Sequence, residues 1–175
     1  MSASPSREER LATVNASAAG SARVAAPARR ADAWTWILTV FGVGDLANAA
    51  WMLAQPVGWF HDLPAAVPDF GPLNEHFVRD IGSAFAVQGV ALLWAAFVPR
   101  WRVPLVAPVA LFTVLHALAH VYDTARGLVG PAHWLIDLPG VYVPALLMTT
   151  FLWLLARQPP VGREVVTVQS GAGHV

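Results

Sequence analysis

The sequence contains no cysteine and no lysine, and it has few charged residues of either sign. Without cysteine the chain cannot form disulfides, zinc–thiolate sites, iron–sulfur clusters or thiol nucleophiles. Any bound metal would need imidazole and carboxylate ligands. All eleven basic residues are arginine, a composition typical of GC-rich bacterial genomes. Eleven acidic residues balance them, so the zero net charge gives no electrostatic basis for binding nucleic acid.

Apolar residues dominate what is present. They make up 56% of the 175 residues, whereas charged residues make up 13%, against about a quarter in an ordinary soluble domain. The mean hydropathy is +0.51, and the chain contains eight tryptophans. This composition predicts a body embedded in the lipid bilayer rather than a water-soluble core.

The apolar residues fall into four long stretches, at about 33–54, 75–98, 103–123 and 133–155. Each is long enough to cross about 30 Å of hydrocarbon at about 1.5 Å per residue. We therefore predict an all-α fold, an integral membrane four-helix bundle spanning residues 32–157. Residues 1–31, rich in Ser, Ala and Arg, are predicted to form a disordered tail, and residues 158–175 a short polar tail.

Arginine placement predicts the orientation of the bundle. Five arginines lie in the N-terminal tail, two between the second and third stretches, and two after the fourth. The loop 55–74 has no basic residue. Because basic residues are retained in the cytoplasm, both termini are predicted to be cytoplasmic, in a bacterial inner membrane. Asn74 is placed to cap the second helix.

Polar side chains from all four stretches lie at one depth, in the half of the bundle predicted to face outward. They are Asp45 and Asn48, then His76, Arg79 and Asp80, then His116, His120 and Asp123, and finally Asp137. Spacings of three and four residues place members of each group on one helix face. Ionisable residues within a membrane face the bundle interior because lipid exposure costs about 2.5 to 3.5 kcal/mol each. These faces are therefore predicted to meet.

The sequence leaves several uses of this cluster open. A structural network, with Arg79 paired to Asp45, Asp80 or Asp123, would only fix helix packing. A metal site would use His76, His116, His120 and Asp123 for zinc, iron or manganese. A haem would need two axial histidines on different helices. Proton transfer, or binding of a quinone or similar lipid-like molecule, would use the histidines and aspartates as titrating or hydrogen-bonding groups. His133 lies at a helix end, a position that also suits a side chain facing water rather than the cluster.

Part of the chain resembles a known family. The segment VRDIGSAFAVQGVALLWAAF, a short Arg-containing turn and a helix ending HALAHVYD resemble the DoxX-like four-helix membrane proteins of bacteria. The resemblance covers the second and third helices and implies a four-helix inner-membrane bundle. It also implies a possible link to quinone-coupled redox complexes and to other membrane subunits. No residue role is carried over from the family.

These observations together predict a small multi-pass inner-membrane protein that binds a metal ion or small ligand in a His/Asp-lined pocket. The further ligand-binding or network residues are Asp45, Asn48, Arg79, Asp80 and Asp137. The alternatives are a non-catalytic membrane subunit whose polar cluster fixes helix packing, and a quinone- or haem-linked redox subunit. No motif supports catalysis.

Overall fold

The structure, a computed structural model, describes residues 32–158. All regular secondary structure in that range is helical. The α-helices are α1 (Ala33–Ala54), α2 (Pro56–Asp62), α3 (Glu75–Phe97), α4 (Arg102–Ala125), α5 (His133–Ile136) and α6 (Val143–Ala156), joined by 3₁₀ turns at Val67–Phe70 and Pro99–Trp101 and a π-helical turn at Leu138–Tyr142. The predicted tail 1–31, and all of the predicted tail 158–175 except residue 158, lie outside the described residues.

Four helices are long and apolar enough to cross a membrane: Ala33–Ala54, Glu75–Phe97, Pro99–Ala125 and Leu138–Ala156. The prediction of an all-α fold with four long apolar helices is confirmed, and length and composition are compatible with a small multi-pass membrane protein. The fourth predicted helix, 133–155, is divided into α5, the π-helical turn and α6. The division falls at Pro139, which has no backbone N–H to donate to the preceding turn.

The end of the bundle containing the Pro99–Trp101 turn, here called the turn end, is fixed by a salt bridge. Asp32 caps α1 and accepts two hydrogen bonds of 2.7 Å from the guanidinium of Arg102, which is 5% exposed. Arg102 also donates to the carbonyl oxygen of Ala96. These hydrogen bonds hold the pKa of the Asp32 carboxyl well below its usual range. The sequence analysis uses Arg102 only to predict the orientation of the bundle. In the structure, Arg102 ties α1 to the α3–α4 connection.

The α1–α3 contact depends on glycine. A Cβ on Gly89 would lie 2.7 Å from Leu46 Cγ and 2.8 Å from the carbonyl oxygen of Gly42. A Cβ on Gly82, two helical turns away, would lie 2.8 Å from Met52 Cβ. Small residues allow helix backbones to approach this closely within a membrane. The first two spans therefore pack as a tight antiparallel pair.

The apolar core lies toward the turn end. Its buried members come from all four spans and include Leu38, Leu92, Val106, Met148 and Leu155. Phe151 of α6 packs edge-on against Trp34 and Phe41 of α1. Apolar packing thus fills the turn end. Polar side chains lie toward the opposite end, called the loop end here, where Asn74 caps α3 as predicted by accepting from the Phe77 N–H at 3.1 Å.

Candidate functional site

Asp137 is the centre of a buried polar network at the loop end. Its side chain is 1% exposed, and both carboxylate oxygens are engaged. Oδ2 lies 2.8 Å from His120 Nδ1, and Oδ1 lies 3.2 Å from His133 Nδ1. Asp137 therefore joins an imidazole of α4 to an imidazole of α5.

The local sequence explains why Asp137 points into the bundle. Its N–H bonds to the His133 carbonyl oxygen, which closes the last turn of α5. Its own carbonyl oxygen accepts from both Val141 N–H at 2.9 Å and Tyr142 N–H at 3.2 Å. The second bond is the i to i+5 pattern of a π-helical turn, a feature frequent at functional sites. Pro139 sits inside this turn and prevents a regular α-helix from continuing.

His133 lies between two carboxylates. It is 1% exposed, and its Nε2 lies 3.2 Å from Asp69 Oδ2 while its Nδ1 faces Asp137. Burial disfavours the imidazolium, but the hydrogen bonds from Asp137 and Asp69 outweigh it, so the pKa of His133 is raised above its usual value. His133 thus keeps its proton to a higher pH than a free histidine does.

The loop 55–74 covers this network. Phe70 packs edge-on against His120, with ring centroids 4.7 Å apart, and against His133 at 4.8 Å. Asp69, on the same 3₁₀ turn, supplies the carboxylate to His133 and is itself 58% exposed. A segment of the loop therefore closes the network from the solvent side.

His116 and His120 form an imidazole pair one helical turn apart on α4. Their ring centroids are 4.7 Å apart, and His116 also stacks on Phe112 at 5.9 Å. Because His120 Nδ1 faces the Asp137 carboxylate, the neutral His120 ring carries its proton on Nδ1 and leaves Nε2 as a hydrogen-bond acceptor. No described residue forms a hydrogen bond with His120 Nε2 or with either nitrogen of His116.

Two further hydroxyls lie near the network without partners. Within residues 32–158, Thr124 Oγ1 and Tyr142 Oη are the buried side-chain polar atoms that form no hydrogen bond. Thr124 follows His120 by one helical turn, and Tyr142 closes the π-helical turn that starts after Asp137. Buried polar groups are normally satisfied. The two hydroxyls lie near each other, and Tyr142 also lies near the Asp137 carboxylate.

Asp45 and Asn48 lie half-buried in α1, outside this network. Asn48 accepts a hydrogen bond of 2.9 Å from the Trp59 indole of α2, which ties α1 to the start of the loop 55–74. In the described part of the chain no side chain forms a hydrogen bond or ion pair with Asp45. The first helix thus contributes support rather than a member of the network.

The predicted residues of the second helix lie on its exposed surface. His76 and Asp80 pair at 3.4 Å with side chains 87% and 62% exposed. Arg79 pairs at 2.8 Å with Glu75. It pairs with none of the predicted partners Asp45, Asp80 and Asp123. On α4, Asp123 is half-buried and its carboxylate bonds to no described residue. Of the predicted set, the structure brings together His116, His120 and Asp137.

Among residues 32–158, no group of three or more His, Cys, Asp or Glu side chains is arranged to hold a metal ion. His76, exposed on α3 and paired to Asp80, does not join the His116–His120 pair in such a group. The part of the chain that the structure describes gives no support to a site built from His76, His116, His120 and Asp123.

The network also contains residues that sequence reasoning left out of the site. They are His133, Asp69 and Phe70. The spacing of His133 and Asp137 predicts a shared helix face, but not that both are buried. Asp69 and Phe70 lie between Pro68 and Gly71 in a loop whose pattern indicates only a turn.

No protein-family model matches the chain, and no curated protein or solved structure gives a significant match. The function must therefore be argued from the site itself.

Proposed function

We propose that this chain is a small multi-pass protein of a bacterial inner membrane that binds a small molecule bearing a hydroxyl or N–H group at the loop end. The observation that carries the proposal is the Asp137–His120 pair. The carboxylate holds the Nδ1 proton of His120, so Nε2 is presented as an acceptor beside His116. Intramembrane ionisable residues arranged in this way commonly mark a substrate or proton pathway.

The ligand class follows from the groups that surround the pair. A hydroxyl or N–H of the ligand would donate to His120 Nε2, while Thr124, Tyr142 and His116 offer hydrogen bonds to its other polar atoms. Exposed apolar side chains cover much of α4, among them Leu111, Leu115 and Leu118. A molecule soluble in the bilayer would reach the site along that surface. The cytoplasmic location of both termini stays a prediction. So do the link to quinone-coupled redox complexes and the resemblance to DoxX-like proteins.

A structural network is the second candidate, and it has its own support. Asp137 uses both oxygens and His133 uses both nitrogens, so these two residues are satisfied without a ligand. Such a network would fix the packing of α4 against α5 and the loop. It would leave His116 and the free nitrogen of His120 without a role.

One experiment separates the candidates. The full chain is purified in mild detergent, and its metal content, absorption spectrum and extractable small molecules are measured for the wild type, His116→Ala, His120→Ala and the exposed control His76→Ala. We expect an organic molecule in near-stoichiometric amount with the wild type and the control, lost in the other two variants.

Other outcomes assign the alternatives. Stoichiometric metal, lost in the same two variants, would support the metal site and contradict the proposal. A Soret band would indicate haem. No bound molecule, with both variants less stable than the wild type, would support the purely structural network.

A further inference from the structure

The loop segment Val67–Phe70 is attached to the site mainly through His133. Its backbone lies against α2, whereas Asp69 bonds to His133 Nε2 and Phe70 packs on His133 and His120. Residues with positive φ flank the segment, Ala66 at 47° and Gly71 at 129°. An alanine in this region is strained, and such strain persists only where surrounding contacts maintain it.

The hydrogen bonds of His133 require it to be charged. Nδ1 and Nε2 each lie 3.2 Å from a carboxylate oxygen, of Asp137 and of Asp69. A neutral imidazole carries one N–H, so it can donate to only one of them and turns a lone pair toward the other. Only the imidazolium donates to both.

Exposure decides which bond is lost when His133 loses its proton. Asp137 is 1% exposed and also accepts from His120, so releasing it would leave a buried carboxylate with an unpaired oxygen. Asp69 is 58% exposed and can be hydrated without rearrangement. The remaining proton therefore stays on Nδ1, and the bond to Asp69 is broken.

We propose that Val67–Phe70 is a lid over the His116–His120 pair, held closed by protonated His133 and released when His133 loses its proton. The titratable groups that face His133 are Asp137 on its own segment, Asp69 on the lid and, through the shared Asp137, His120 on α4. The lid regulates the site named under Proposed function, and its relevance to ligand binding rests on that function.

The direction of the pH dependence follows from these contacts. The folded pKa of His133 lies above its usual value, so the closed lid is fully stabilised below that usual value. This stabilisation is lost as the pH rises through the raised pKa. Acid at the outer face closes the lid, and alkali opens it.

The test measures access to His120 with diethylpyrocarbonate, which modifies neutral, water-accessible imidazoles. The full-length protein in lipid nanodiscs is labelled briefly at pH 5.5 and at pH 8.5 and modification of each histidine is read by mass spectrometry. Exposed His76 is the internal reference. The variants are Asp69→Ala, which removes the acceptor of the His133 Nε2 hydrogen bond, and Asp62→Ala, which removes an exposed acid of the same loop, as matched control.

At pH 5.5 we expect His120, relative to His76 of the same sample, to be modified faster in Asp69→Ala than in the wild type and in Asp62→Ala, because the lid has lost its bond to protonated His133. The difference between the three proteins should diminish as the pH is raised toward 8.5 and His133 loses its proton. Equal modification of His120 in all three at pH 5.5 would overturn the lid. If His120 in Asp69→Ala stays faster by the same factor at pH 5.5 and at pH 8.5, the lid does not respond to His133, and the proposal is overturned as well.

This experiment needs no ligand. A lid that fails here leaves the co-purification result standing, and a chain that binds nothing can still show the lid.

Discussion

One carboxylate, Asp137, organises the loop end at the level of single residues. It sets the tautomer of His120 and holds the charge of His133. Carboxylates hydrogen-bonded to a histidine commonly fix the ring orientation and raise the basicity of its other nitrogen. Its role therefore differs from that of a simple ion-pair partner, because two imidazoles depend on it.

We predict that Asp137→Asn lowers the free energy of unfolding by about 3 kcal/mol, since it removes one partner of a buried charged pair. The asparagine amide also turns an N–H₂ group toward one of the two imidazoles. The measurement is chemical denaturation in mixed micelles.

Asp80→Asn is the matched control for this prediction. Its carboxylate pairs with a histidine at the same i, i+4 spacing but is 62% exposed, so the expected change is within about 0.5 kcal/mol. If Asp137→Asn and Asp80→Asn lose equal free energy of unfolding, the result contradicts the central position of Asp137 in the network.

These two pairs also show what spacing can predict. His76–Asp80 and His133–Asp137 share the i, i+4 pattern, and both pairs form in the structure. One pair is exposed and the other is 1% exposed. Spacing determines which residues share a helix face, whereas depth depends on what packs against that face. For His133 the covering residues come from a loop 64 positions earlier, as the Asp69 contact shows.

At the scale of helices, two local features shape the bundle. The Pro139 region interrupts the fourth span just after Asp137, and the glycines of α1 and α3 set how closely the first two spans approach. The sequence itself indicates both, since Pro139 beside Gly140 favours a bend, and Gly42, Gly44 and Gly82 allow close helix packing. It does not predict which glycines are in contact, since Gly44 has no atom within 4 Å of its hypothetical Cβ.

We predict that Gly89→Ala destabilises the protein by about 1 to 3 kcal/mol, because the added methyl group overpacks a contact already filled by Leu46 and the Gly42 carbonyl. The measurement is the thermal unfolding midpoint in detergent together with chemical denaturation.

Gly44→Ala is the control within the same helix pair. The new methyl group meets open space, and alanine favours a helix over glycine by up to about 1 kcal/mol. This variant should be neutral or slightly stabilised. A loss as large as that of Gly89→Ala would mean that the α1–α3 approach is not set by the Gly42–Gly89 contact.

At the scale of the whole molecule, the fold is more predictable from the sequence than the site. In lipid, each backbone polar group must find a partner within the protein, and a continuous apolar stretch of about 20 residues meets this requirement as a helix. That constraint is local and can be read directly from residues 33–54 or 75–98. The site instead depends on a loop folding back over α4, through Asp69 and Phe70. No local pattern fixes that contact.

The orientation of the whole chain is a prediction that the absence of cysteine makes simple to test. A single cysteine replacing Asp62 would lie on the exposed surface of α2, and one replacing Arg100 on the exposed surface of the α3–α4 turn. Arginines concentrate at the turn end and are absent from residues 55–74, so position 62 is expected outside and position 100 inside. In intact bacterial cells whose outer membrane has been permeabilised, a membrane-impermeant maleimide should modify Asp62→Cys. It should modify Arg100→Cys only after lysis of the inner membrane. The reverse pattern would place the lid and the His116–His120 pair in the cytoplasm, where the pH that governs His133 would be that of the cell interior.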